Sequence, residues 1–304
     1  MYSDSPFPGN ASRGDDDQLY RFLFDQLPIR GEWVRLEDSW HEIMERGDYP
    51  TAVRQLLGKA CAATTLLVAT LKFEGQLTLQ IEGIGPLKRL VVRCDHEFRL
   101  RGLAHYQAEA FANGQTPERL LEEARLTITI DANDQNDRYQ GTVAAESDDL
   151  AVVLEAYFNQ SEQLPTRLWL VADETRVGGL LIQRLPGEST DEDAWDRCSH
   201  LAGTVTTEEM LSLSANDLLK RLFYEEDIQV FPPAQVTFKC HCSRERLSSI
   251  LKSLGEPELK DILAQEGSVK ATCEFCNSNY IFDTVDVAQL FASHWQTPST
   301  NTRQ

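Results

Sequence analysis

Phe238-Lys239-Cys240-His241-Cys242-Ser243 and, after a spacer of thirty residues, Cys273-Glu274-Phe275-Cys276 hold four of the seven cysteines in two tight pairs. Each short turn can aim two sulfurs at one tetrahedral ion. A C-x-C and a C-x-x-C at this spacing therefore predict a four-thiolate zinc site. The same closeness lets each pair close on itself as a disulfide, so a redox switch is also open. From spacing alone, a permanent structural zinc is the favoured reading. His241 lies between two ligands, and because four thiolates already fill the shell it reads as a bystander.

The surrounding sequence reads as a small module over residues 234–292. A short strand delivers Cys240, helices over 243–254 and 257–265 fill the spacer, a strand follows at 280–282, and a helix over 285–291 closes it. So small a module carries little apolar mass. Metal binding would supply folding energy on the order of 10 kcal/mol or more.

Outward from this module, the chain has 304 residues, 41% apolar residues and a formal net charge of -19. Such a charge repels phosphate backbones and anionic lipids, which argues against nucleic-acid and membrane partners. Residues 1–17 are polar, with Asp15-Asp16-Asp17 at their end, and lack the basic start and apolar run of a leader. They read as a disordered acidic arm, and a cytoplasmic location is expected. In that reducing setting, paired cysteines mean metal or redox chemistry.

The clearest helix covers about 52–71, where Val53, Leu56, Leu57, Ala60, Cys61, Thr64, Leu67 and Val68 recur every three or four residues. Residues 18–27 read as a helix start capped by the aspartates. Alternation predicts a strand at 75–82, followed by the turn Gly83-Ile84-Gly85 and a strand at 87–94, and further strands are expected at 126–130, 139–143, 168–172 and 179–183. A helix is expected over 147–161. The fold class is α+β, with one mostly antiparallel sheet and packed helices over 18–186. Residues 187–233 read as a helical linker or hinge, with Ser214 as an N-cap, and 293–304 as a disordered tail. The linker is too small to own a core, so its apolar face must lie on the large domain. Cys61 and Cys94 read as small core residues. Cys198, in the linker, reads as exposed but inert. No P-loop, G-x-S-x-G or G-x-G-x-x-G is present.

Several stretches resemble the redox-regulated heat-shock chaperonin family named for its mass of about thirty-three kilodaltons. Phe238-Lys239-Cys240-His241-Cys242-Ser243-Arg244-Glu245-Arg246 is similar to its C-x-C-S-x-E/R-R signature, and Cys273-Glu274-Phe275-Cys276 follows at family spacing. Ser161-Glu162-Gln163-Leu164-Pro165-Thr166-Arg167, Arg138-Tyr139-Gln140-Gly141, Gly178-Gly179-Leu180-Leu181-Ile182-Gln183 and Thr207-Glu208-Glu209-Met210-Leu211 also resemble it. The departures are the longer acidic arm and His241. The resemblance implies a non-enzymatic, ATP-independent holdase for unfolded clients, off when reduced and zinc-bound and on when oxidised. It implies that Cys240, Cys242, Cys273 and Cys276 bind one zinc. On oxidation it pairs Cys240 with Cys242 and Cys273 with Cys276, and it implies a reduced monomer and an oxidised homodimer. The switch thereby displaces the permanent zinc as the favoured reading. The C-x-x-C ring closes with less strain than the C-x-C ring, so Cys273–Cys276 is expected first. Two competing readings are a zinc-ribbon nucleic-acid binder, for which the charge is wrong, and a thiol oxidoreductase, which needs the C-x-x-C at a helix N-terminus.

Overall fold

The computed structural model describes residues 15–114, 117, 119–132, 138–187 and 191–292. These divide between two compact units that part between Cys240 and His241. The expected tail at 293–304, most of the arm and most of the turn after residue 132 lie outside the described residues.

The first unit begins with β1 (Gln18–Phe24) and β2 (Ile29–Leu36), then α1 (Asp38–Met44) and the long α2 (Thr51–Thr70). It continues with β3 (Gly75–Glu82), β4 (Leu87–Asp95), β5 (Arg99–Tyr106), β6 (Arg125–Ala132) and β7 (Arg138–Ala144). Then come α3 (Leu150–Tyr157), which runs into a π turn at Phe158–Glu162, β8 (Thr166–Ala172) and β9 (Val177–Arg184). Three short helices follow, α4 (Ala194–Ala202), α5 (Thr207–Ser212) and α6 (Ala215–Leu222), before the short strands β10 (Ile228–Val230), β11 (Ala234–Gln235) and β12 (Thr237–Phe238).

The strands make two sheets rather than the single sheet expected. One runs β10-β1-β2-β9-β8, with β11 also paired to β1, and the other runs β12-β5-β4-β3-β6-β7. Every pairing in them is antiparallel except β12 with β5. The helix α2 packs against strands of both sheets. This explains its composition: Ala60, Cys61, Ala62, Ala63, Leu66 and their neighbours are buried right round the helix, as a helix between two layers requires.

Residues 18–24 are a strand, not the expected helix start. Tyr20, Phe22 and Phe24 fall on one face and Leu19 on the other, a period of two that the aromatic density hid. The aspartate run does cap a helix, but a different one. Asp17 accepts from the backbone N–H groups of Asp38 (2.8 Å) and Ser39 (2.9 Å), and from the Ser39 hydroxyl, at the start of α1.

The sheet containing β1, β2 and β9 is apolar on both faces, and the second face is covered by α4–α6. Ala194, Cys198 and Ala202 recur every fourth residue on α4. Ala215, Leu218, Leu219 and Leu222 form the i, i+3, i+4, i+7 stripe of α6, with Ser214 as its N-cap. These side chains bury against Tyr20, Phe22, Phe24, Trp33, Leu180 and Ile182. Phe223 closes the cluster, its ring 4.9 Å from Phe24 and edge-on. The linker thus packs as part of the first unit.

Gly178 and Gly179 make this layering possible. A Cβ at Gly178 would stand 2.9 Å from Met210 Cγ of α5, and one at Gly179 would stand 2.8 Å from Leu66 Cδ1 of α2. Adjacent strand residues face opposite ways, so each glycine admits the helix on its own side.

The second unit holds α7 (Arg244–Leu254), α8 (Glu256–Glu266), the hairpin β13 (Val269–Thr272) with β14 (Asn279–Phe282), and α9 (Thr284–Phe291). Among its described residues the buried apolar side chains are Leu251, Leu259, Val269, Phe282 and Val287, with Leu247, Ile262, Leu263 and Leu290 half-buried against them. Residues 234–240, expected in this module, pair instead as β11 and β12 within the first unit.

Candidate metal centre

Each cysteine pair is placed by a local element. β12 pairs in parallel with the start of β5, and the backbone N–H of Lys239 donates to the Leu100 carbonyl at 3.0 Å, which fixes the residue before Cys240. Cys242 immediately precedes Ser243, whose hydroxyl oxygen caps α7 by accepting from the Arg246 N–H at 3.2 Å. Cys242 is thereby fixed at the residue before the start of α7. Cys273 and Cys276 occupy the turn between β13 and β14. There the Asn277 N–H donates to the Cys273 carbonyl (2.7 Å), the Cys273 N–H donates to the Ser278 carbonyl (3.0 Å), and Asn277 takes a positive φ of 56°. The C-x-x-C pair is thus in a hairpin turn and not at a helix N-terminus, which removes the geometry a thiol oxidoreductase needs.

The four sulfurs of Cys240, Cys242, Cys273 and Cys276 lie within 4.8 Å of one another, and all four residues are half-buried. Cys242 Sγ and Cys276 Sγ are 3.3 Å apart. Sulfurs at Zn–S bonds of about 2.3 Å on a tetrahedron stand about 3.8 Å apart, so an all-sulfur set of this size fits a tetrahedral, thiophilic ion.

Several polar groups that sequence reasoning did not find surround the sulfurs. The Tyr280 hydroxyl lies 3.2 Å from Cys242 Sγ, and that sulfur pushes the phenol up to about 12. Ser278 Oγ is 3.3 Å from Cys276 Sγ. The Arg101 guanidinium, buried on β5, donates to Cys240 Sγ at 3.5 Å. Polar groups at this range help to orient the sulfurs of a metal site. The hairpin places Tyr280, a position the alternation of β14 could have flagged. Arg101 is far away in sequence and carries no local signal.

The match to known proteins agrees with this geometry. The family model described as Hsp33 protein matches residues 17–283. The chain belongs to the Hsp33 family. A curated relative, the 33 kDa chaperonin of Nitrosococcus oceani, is 46% identical over 291 residues, covering 94% of this chain and 98% of that protein. The 33 kDa chaperonin of Pseudomonas paraeruginosa is 45% identical over 282 residues, covering 91% of this chain and 95% of that one. The crystal structure of the 33 kDa chaperonin of Thermotoga maritima shares the fold, with a TM-score of 0.76 at 24% identity over 90% of this chain and 97% of that one. Hsp33 membership thus rests on sequence over most of the chain, and the relatives are named as chaperonins. Among the described residues, no helix is long and apolar enough to cross a membrane.

The three remaining cysteines of this Hsp33 chain are all buried. Burial pushes the thiols of Cys61 and Cys94 up, and that of Cys198 up to about 12. Cys198 is therefore not exposed as expected: it is a fully buried member of the α4 stripe against the sheet. Thiols held in the protonated, buried form react slowly. In folded, reduced protein, iodoacetamide should leave Cys61, Cys94 and Cys198 unmodified, while in guanidinium all seven cysteines should be alkylated. Peptide mapping by mass spectrometry reads the outcome, and rapid native labelling of any of the three would contradict the packing.

Proposed function

We propose that the chain is a redox-regulated, ATP-independent holdase. It is inactive when reduced and zinc-bound, and disulfide formation activates it to keep unfolding proteins from aggregating under oxidative stress. The observation that carries this reading is the convergence of Cys240, Cys242, Cys273 and Cys276 within 4.8 Å. These four are the proposed zinc ligands, one ion per chain.

Zinc, when bound, would hold the sulfurs as thiolates at neutral pH. Thiolates are the species that peroxide oxidises. For each pair, one sulfur takes an oxygen from hydrogen peroxide to become a sulfenic acid and releases hydroxide. The partner thiolate then attacks that sulfur, an S–S bond forms and a second hydroxide leaves. Two electrons pass to each peroxide, and two protons convert the hydroxides to water. The proposed pairs are Cys273–Cys276, which closes the less strained ring and forms first, and Cys240–Cys242.

Sulfurs bonded to each other no longer hold a metal ion. The second unit, with its core of five buried apolar side chains, then lacks its main support. Strain at Cys240 passes along the chain into β12, β11 and β10, the short edge strands that follow α4–α6. Release of those helices would uncover the aromatic face of Tyr20, Phe22, Phe24 and Trp33 together with the helices' own apolar stripe. A continuous apolar patch of this kind is what an unfolded client binds. We further propose a cytoplasmic location, and a monomer that becomes a homodimer on oxidation.

The test is aggregation of a chemically denatured client enzyme, followed by light scattering without nucleotide. Peroxide-treated protein should suppress scattering near stoichiometric amounts, reduced zinc-loaded protein should not, and reductant plus zinc should restore the inactive state. Equal suppression by both forms would reject the redox switch.

A further inference from the structure

The segment joining α5 to α6 is a short break between two helices, and it offers the sheet exposed backbone groups of both signs. The last carbonyls of α5 carry partial negative charge, and the first N–H groups of α6 carry partial positive charge. The chain meets both. Arg35, a buried arginine of β2, donates through Nη1 to the Leu213 carbonyl at 2.6 Å. Arg176 donates through Nη1 to the Leu211 carbonyl at 3.2 Å and is itself held by Glu37 at 2.8 Å. From the N-terminal side, Asp15 accepts from the Ala215 N–H at 2.9 Å and from the Tyr20 hydroxyl at 2.7 Å. Asp16 pairs with Arg35 at 2.6 Å and lies 3.8 Å from Arg176.

We infer that Asp15 and Asp16, with Arg35 and Arg176, form a polar latch that clamps the α5–α6 junction onto the sheet and keeps the client surface covered in the reduced protein. This inference rests on the holdase reading and adds a second restraint to it, separate from the metal centre. The apolar stripe of α4–α6 supplies area but little direction, since apolar packing tolerates sliding. The latch supplies register, because Arg35, Arg176 and Asp15 each reach one particular backbone group some 35 to 200 residues away, and Asp16 holds the two arginines. Charge-assisted bonds of this kind are stronger than neutral ones and are lost together when the junction moves. Asp16 serves a further purpose. Without it, the buried Arg35 guanidinium would keep its carbonyl partner but lose its countercharge, and a buried unpaired cation is costly.

The experiment uses the full chain carrying Asp15→Asn and Asp16→Asn together, reduced and zinc-loaded. Both positions lie at the rim, so the double variant should fold. As a second test, a chain lacking residues 1–14 is compared with one lacking residues 1–16. Both keep Asp17, which caps α1. Hydrogen exchange of amides in 207–222 should be about tenfold faster in the double variant and in the chain lacking residues 1–16. Exchange in α2 and zinc content should not change, and the chain lacking only 1–14 should behave as the parent does. The double variant should also protect a denatured client at a lower peroxide dose. Unchanged exchange in 207–222, or equal acceleration in α2, would overturn the latch. Faster exchange confined to 207–222, with no client protection by the oxidised parent protein, would uphold the latch and reject the holdase reading.

Discussion

Peroxide at mildly elevated temperature should convert the reduced protein into one with two intramolecular disulfides, no bound zinc, and a boundary of protection that falls inside the first unit. Amides of α2 and of the strands beside it should stay protected, because that core is built from both sheets and includes none of the four paired cysteines. Amides of α4–α6 and of the second unit should exchange at least about a hundredfold faster, as expected where local opening costs little. Cys198 supplies an independent reading of the same event. It is buried only because α4 lies on the sheet, so it should become open to iodoacetamide on oxidation while Cys61 and Cys94 stay closed. Protease cleavage should begin within 187–235. Equal protection of α4–α6 and the second unit in both redox states, with activity nonetheless switched on, would refute unfolding as the mechanism.

A larger loss is expected from the double substitution Cys273→Ser and Cys276→Ser. Metal analysis of protein purified under reductant should fall from close to one zinc per chain to close to none. Two sulfurs cannot complete a tetrahedral shell, and serine hydroxyls are poor replacements for thiolates. The second unit should then unfold. Metal contributes on the order of 10 kcal/mol or more in small metal-dependent folds, well beyond what five buried apolar side chains and the ion pair of Arg244 with Asp286 can replace. Residues 241–292 should lose exchange protection without any oxidant, whereas α2 should keep it. A variant that retained a full equivalent of zinc would show that the four-cysteine assignment is wrong.

Much of this was legible in the sequence, for identifiable reasons. The cysteine pairs stood out because metal ligation demands fixed residue types at short spacings. β3 and β4 were readable as neighbours because β3 alternates and Gly83-Ile84-Gly85 marks a turn, and β6 and β7 because two short runs rich in β-branched residues flank a polar stretch. The length of α2 followed from its uninterrupted run of small and apolar residues. What stayed hidden depends on long-range pairing. β1 was mistaken for a helix because seven residues dense in aromatics satisfy both periods. The split into two sheets stayed hidden because it depends on which strands pair, and no local pattern fixes that. Arg101 beside Cys240, and Arg35 beneath the α5–α6 junction, are brought to their partners only by the finished fold. Cys198 reads as exposed from its place in the linker without a local partner, yet its spacing with Ala194 and Ala202 marks the buried face.

The sheet of β1, β2 and β9 has its other apolar face, opposite α4–α6, held by α2 through Val34, Leu36, Leu181 and their neighbours. This asymmetry bears on how quickly the covered state can return. When reductant restores the thiols, the landing site for the three helices is still assembled, with its aromatic side chains in place. Covering it again requires short helices to re-form and settle on a standing template. Contacts within such helices are local, and helix formation takes about a microsecond. The slow step of re-closure should therefore lie in thiol and metal chemistry at the far end of the chain, and the helices should follow it without a lag of their own.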